Sequence, residues 1–151
     1  MKAIIFAILI FLAVFGSPVL AEKANMGPIQ LRQTATHVVI GTVTRVYERN
    51  HNTDTQKITD RVAEIRIKEI EKGEGLRNGD LLYARYWTSA WLPGATPIPS
   101  TSGHRGLPNE GETLRVYLAR NAYDGFGQNR DGGFNVIGAD GFERLGQERE
   151  P

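Results

Sequence analysis

The run Thr36-His37-Val38-Val39-Ile40-Gly41-Thr42-Val43-Thr44-Arg45-Val46-Tyr47-Glu48-Arg49 decides how the fold is read. It is dense in β-branched and aromatic side chains, which suit a pleated, half-buried surface, so it predicts a strand. Gly41 interrupts it, and a glycine inside a strand marks a bend or bulge of the kind a small barrel needs. Downstream, Asn50 to Thr55 is turn sequence. Ile58 to Ile70 predicts a second strand, because Ala63, Ile65 and Ile67 alternate with Glu64, Arg66 and Lys68. Ile70 is out of phase with that set, so a bulge is expected near Lys68 or Glu69.

Lys72 to Asp80 is rich in glycine and charge and reads as a connection. Leu81 to Thr88 predicts a third strand, with Leu82, Ala84 and Tyr86 on one face and Leu81, Tyr83, Arg85 and Trp87 on the other. Glu112 to Arg120 predicts a fourth, on which Leu114, Val116 and Leu118 alternate with Thr113, Arg115 and Tyr117. Gly133 to Ile137 predicts a short fifth. Upstream, Pro28 to Ala35 is a short helix, with proline suited to its first turn and Ile29, Leu31 and Ala35 on one side. A helix this short needs tertiary contacts to hold. The fold class is therefore all-β: a small five-stranded OB-like barrel with a short N-terminal helix and a long loop between strands 3 and 4.

The first 21 residues read as an address. Met1-Lys2 is a positive start, and Ala3 to Phe15 is an unbroken apolar run of 13 residues. That is short of the roughly 20 a membrane span needs. Gly16-Ser17-Pro18 and then Val19-Leu20-Ala21 complete a Sec-type signal peptide cleaved after Ala21. Cleavage leaves no stable membrane span, and the protein is expected to be periplasmic or secreted. Removing the leader also removes Lys2, so 17 basic residues face 17 acidic ones. The 151-residue chain contains no cysteine, which excludes disulfides, thiolate chemistry and cysteine metal sites. An exported chain without disulfides leans toward a bacterial source. The expected organisation is a signal peptide over 1–21, an arm and short helix over 22–35, one β-barrel domain over 36–145, and a tail over 146–151.

A resemblance enters at this point. His37-Val38-Val39-Ile40-Gly41-Thr42-Val43 is followed by a long second strand ending Glu69-Ile70-Glu71-Lys72-Gly73. Then come Gly79-Asp80 with a strand, and Gly111-Glu112-Thr113-Leu114-Arg115-Val116-Tyr117-Leu118. Over residues 36–120 this order resembles the OB-fold barrels of the netrin-module and tissue-inhibitor-of-metalloproteinase type. The animal inhibitors place an N-terminal cysteine on the target's zinc. This chain has no cysteine, so that mechanism does not transfer, and no functional residue of the family maps here.

The stretch that stands out chemically is Trp87 to Asn109, with two tryptophans, four prolines and Ser100-Thr101-Ser102-Gly103-His104-Arg105-Gly106. A connection of that length is usually functional or disordered. Trp87, Trp91, His104 and Arg105 are its candidate binding residues, the indoles as amphipathic contact groups and the His-Arg pair as an anion or proton-transfer site. Ser100 and Ser102 lie near His104, but the sequence is not a nucleophile elbow. Asp124, Asn129, Asp131 and Asp140, set among glycines, are candidate metal ligands. Aligned to an EF-hand, however, they put Gly127 at its first position and Gly138 where the glutamate belongs. His37 and His51 read as a strand edge and a solvated turn, and the mixed charges Glu64, Arg66, Lys68 and Glu69 as a solvated face. No catalytic residue and no cofactor is assigned.

The function this supports is an exported, non-enzymatic binding module that contacts a protein or envelope component through its 87–109 loop. The alternatives are an inhibitor or regulator of an exported protease, and a small hydrolase or metal-binding protein. Nucleic acid is not an expected partner. Tyr83, Tyr86, Trp87 and Arg85 supply part of a stacking groove, but the balanced charge and the export signal count against it.

Overall fold

The structure is a computed structural model, and it describes residues 25–97, 103–120 and 133–146. In chain order it runs α1 (Pro28–Thr34), β1 (His37–Asn52), β2 (Gln56–Lys72), β3 (Leu81–Trp91), β4 (Thr113–Arg120), β5 (Phe134–Val136) and β6 (Phe142–Arg144). The protein is mostly β. The strands pair in the order β1-β2-β3-β5-β4, and β4 also pairs with β1, so five strands form a closed ring. All of these pairings are antiparallel except β3–β5. β6 adds to the outer part of β4 through Leu114 to Val116.

The alternating apolar positions fill the ring. Val39, Val43, Ala63, Ile65, Ile67, Leu82, Ala84, Tyr86, Leu114, Val116, Leu118, Val136 and Phe142 form one buried cluster. Each large aliphatic among them contributes about 1.5–3 kcal/mol by leaving water. A second cluster lies outside the ring, where Leu31 and Ala35 pack on Val38, Tyr117, Ala119 and Ile137. β4 is thus buried on both faces, and this contact is what holds the seven-residue α1 in place.

Gly41 sits where the ring is tightest. A Cβ there would lie 2.5 Å from Ile65 Cγ2 and 2.8 Å from the Arg66 carbonyl oxygen, so only glycine lets β1 approach β2 this closely. The register skips Lys68 between the pairs Ile40–Glu69 and Gly41–Ile67, which is the bulge expected at that position.

A sixth strand, β6, joins the five expected, β2 runs on to Lys72, and three boundaries at the far end of β1–β3 differ from the expectation. β1 continues to Asn52 and β2 begins at Gln56, so the hairpin turn is shorter than Asn50–Thr55 and His51 lies in a strand. β3 runs on to Trp91, so Trp87 and Trp91 are strand residues and the connection to β4 starts at Leu92. The cause is the same in each case. Pairing across β1–β2–β3 carries the ladder past the last core-facing residue, with Thr59 hydroxyl donating to Asn50 Oδ1 at 2.7 Å. Among the described residues no helix is long and apolar enough to cross a membrane.

Candidate functional site

His104 is buried, at 3% exposure. Its Nε2 lies 2.9 Å from the Val136 carbonyl oxygen, and its Nδ1 is 3.1 Å from the Trp87 amide nitrogen. Nδ1 also lies 3.0 Å from the Trp87 carbonyl oxygen, so it faces both backbone groups of Trp87, while Nε2 faces the Val136 carbonyl. The His104 amide also donates to the Trp87 carbonyl at 2.9 Å, and Gly103 bridges to Thr88. Gly103 has φ +92°, and a Cβ there would run into the Trp87 carbonyl oxygen. His104 therefore fastens the β3–β4 connection across β3 and β5, with its ring against Tyr86, Trp87 and Phe142.

Arg105 grips Asp140 with two bonds, Nε to Oδ1 at 3.1 Å and Nη2 to Oδ2 at 2.5 Å, and also reaches Asn25 Oδ1 at 2.6 Å. Both carboxylate oxygens of this candidate metal ligand are thus engaged by a guanidinium. Asp124, Asn129, Asp131, Ser100 and Ser102 lie outside the described residues. Among the described residues, no three His, Asp or Glu side chains converge as a metal site. His37 is buried, with Nε2 3.0 Å from the Glu74 carbonyl oxygen and its ring edge-on to Phe134. His51 faces Asp60 at 3.4 Å.

The structure instead assembles a surface on the outer face of β1, β2 and β3. The inward phase of Ala63, Ile65, Leu82 and Ala84 turns Glu64, Tyr83 and Arg85 outward. The register then lines up Arg45–Glu64–Tyr83, beside Tyr47–Val62–Arg85, beside Arg49–Asp60–Trp87. At its centre the Glu64 carboxylate collects three hydroxyls. Thr44 donates to Oε1 at 2.6 Å, and Tyr83 and Tyr47 both donate to Oε2, at 3.2 and 3.3 Å. The Thr44 bond, then those of Tyr83 and Tyr47 with Arg45 nearby, hold the Glu64 carboxyl below the usual carboxylate range against its desolvation. The same bond raises the Tyr83 phenol. Both tyrosines remain open to solvent, at 44% and 49% exposure, and Leu81 beside them is 40% exposed. The Arg45 guanidinium lies 5.8 Å from the Tyr47 ring centroid.

Next to this pair is a shallow depression of about 320 Å³ lined by Tyr47, Glu48, Arg49, Asp60, Arg61, Val62 and Arg85. Arg49 and His51 share the Asp60 carboxylate, each at 3.4 Å. A second hollow, beside α1, is lined by Ile29, Arg32, Gln33 and Lys72. There the Lys72 ammonium donates to the Arg32 and Gln33 carbonyls and so closes the helix end.

The outer face combines fixed aromatic rings, carboxylate acceptors and guanidinium donors in one plane. Sequence reasoning passed over Tyr47 and Glu64, reading Glu64 as part of a solvated charged face. The signal that finds them is cross-strand register, which follows once Ala63 and Ala84 are set inward. No family model, curated protein or solved structure matches the chain.

Proposed function

We propose that the protein is an exported, non-enzymatic binding module whose contact surface is the outer face of β1–β3. The observation that carries this reading is the pair Tyr47 and Tyr83, each half-exposed and each fixed by its hydroxyl to the same Glu64 oxygen. Half-exposed tyrosines supply large amphipathic contact area, and fixing them beforehand lowers the ordering cost of binding. Trp87 and Trp91 continue β3 past this face, so the tryptophan-bearing segment flanks the contact surface. His104 and Arg105 hold the following connection in place. Export rests on the Met1–Ala21 leader pattern. The similarity in strand order to netrin-type barrels accords with a binding role and contributes no residue to this face.

The test compares the parent protein with Tyr47→Ala/Tyr83→Ala for retention on envelope fractions of the source cells, with circular dichroism as the fold control. Both side chains are half-exposed, so their truncation costs about 1 kcal/mol or less in stability. Loss of about tenfold or more in retention is expected. Equal retention by a folded double variant overturns the reading.

A further inference from the structure

We infer that the outer face of β1–β3 binds a glycan chain, with sugar rings laid on Tyr47 and Tyr83 and their hydroxyls bonded across Glu64, Asp60, Arg45 and Arg49. This rests on the binding reading above and adds the chemistry of the ligand.

Opposite charges alternate in two pairs on the face, and Arg85 in the middle row adds a third guanidinium. Arg45 stands opposite Glu64 in register, and Arg49 lies 3.4 Å from Asp60. An anionic polymer laid here would meet two carboxylates, and a cationic one would meet the guanidinia. Either juxtaposition of like charges is unfavourable in a partly desolvated contact. A ligand whose closely spaced polar groups both donate and accept fits this alternation. Neighbouring sugar hydroxyls do so, since each offers one hydrogen and two lone pairs.

The aromatic part agrees. Glu64 accepts from both tyrosine hydroxyls, which restrains the two half-exposed rings, and the Arg45 guanidinium lies over the Tyr47 ring at 5.8 Å from its centroid. The positively polarised C–H face of a pyranose lies against such a ring as an aromatic edge does. Tyr47 pairs with Val62 and Tyr83 with Glu64, so the two residues are staggered by one outward position on β1 and β3, on either side of β2. Their backbone positions are about 7 Å apart along the strands and about 10 Å apart across two strand intervals, with both hydroxyls converging on one Glu64 oxygen, an extended platform more than an enclosing one. The depression between Tyr47, Val62 and Arg85 is open and shallow, as a surface for a passing chain must be.

The experiment titrates ¹⁵N-labelled protein with cellohexaose, chitohexaose and maltohexaose. A single-stranded thymidine oligomer and an oligoglutamate serve as charged comparisons. The expected result is that at least one of the three glycans shifts the amides of residues 44–48, 62–66 and 82–86 saturably. The affinity should change little between low and high salt. Tyr83→Ala should weaken it about tenfold, and Tyr83→Phe, which keeps the ring but releases it from Glu64, by a few-fold. The proposal is overturned if none of the glycans moves these amides. It is also overturned if only a charged oligomer does, in which case the binding face stands and the glycan falls. Envelope retention by Tyr47→Ala/Tyr83→Ala would instead remove the face itself.

Discussion

Replacing Arg115 by methionine removes the centre of a charge chain that ties four elements together. Its guanidinium donates twice to Glu71 of β2, at 2.9 and 2.8 Å, and once to Glu143 of β6, at 2.9 Å. Glu71 also receives Arg32 of α1 at 2.7 Å, and Glu143 receives the Tyr117 hydroxyl at 2.6 Å. The side chains of Arg115, Glu71 and Glu143 are 23%, 12% and 22% exposed. Exposed pairs are worth about 0–1 kcal/mol, whereas breaking a buried one costs about 3–5. With three bonds at this degree of burial, Arg115→Met is expected to cost about 2–3 kcal/mol at neutral pH. For a chain of this size that lowers Tm by about 10 °C. The Arg115 bonds come first among the causes that hold the Glu71 carboxyl below its ordinary range. A depressed folded-state pKa adds stability that is present above the unfolded value of about 4.3 and lost as pH falls through the folded one. The penalty of Arg115→Met should therefore shrink below about pH 4. Thermal denaturation of both proteins at neutral and acid pH measures it. A neutral-pH difference under about 0.5 kcal/mol, or one that does not shrink in acid, refutes the reasoning.

His104→Ala removes a 3%-exposed ring together with its contacts to Val136 and Trp87 and is expected to cost about 3 kcal/mol, read by denaturant unfolding. Gly103→Ala brings a Cβ to 2.9 Å from Thr88 Cα at φ +92° and should cost more than Gly79→Ala, where nothing lies within 4 Å and only the φ penalty of about 1–2 kcal/mol applies. Burial pushes Tyr86 up to about 12, and burial with the Glu143 bond does the same for Tyr117. Raised phenol values mean stability that is full below the unfolded pKa of about 10 and lost as pH climbs through about 12, so Tyr86→Phe should lessen the alkaline loss in a pH-unfolding series. Mass spectrometry of the protein recovered from its source should find a chain beginning at Glu22, the position that the leader reading sets.

The strand phases were legible because one apolar residue in two is a strong pattern when one face is buried. Ala63, Ile65 and Ile67, then Leu82, Ala84 and Tyr86, then Leu114, Val116 and Leu118, all line the ring. Gly41 and the Lys68 bulge were legible for the same reason, as breaks in that pattern. What escaped the sequence was decided by partners far along the chain. The polar ends of β1, β2 and β3 carry no alternation, and pairing alone keeps them extended. β6 is three residues long, too short for any period. Tyr117 and Ala119 read as an outward face until α1 covers them. His104 sits in a polar, proline-flanked run that reads as exposed, and only β3 and β5 bury it. The tyrosine pair is the clearest case. Tyr47 and Tyr83 are 36 residues apart in the sequence and meet only because both strands register on Glu64.

That meeting is the centre of the functional account, and paired binding measurements test it most directly. Parent protein and folded Tyr47→Ala/Tyr83→Ala would be titrated against envelope fractions of the source cells under one salt condition. The account predicts saturable binding by the parent that falls about tenfold or more in the variant. Binding of equal strength by both proteins would contradict it and return the search to the Trp87–Arg105 segment.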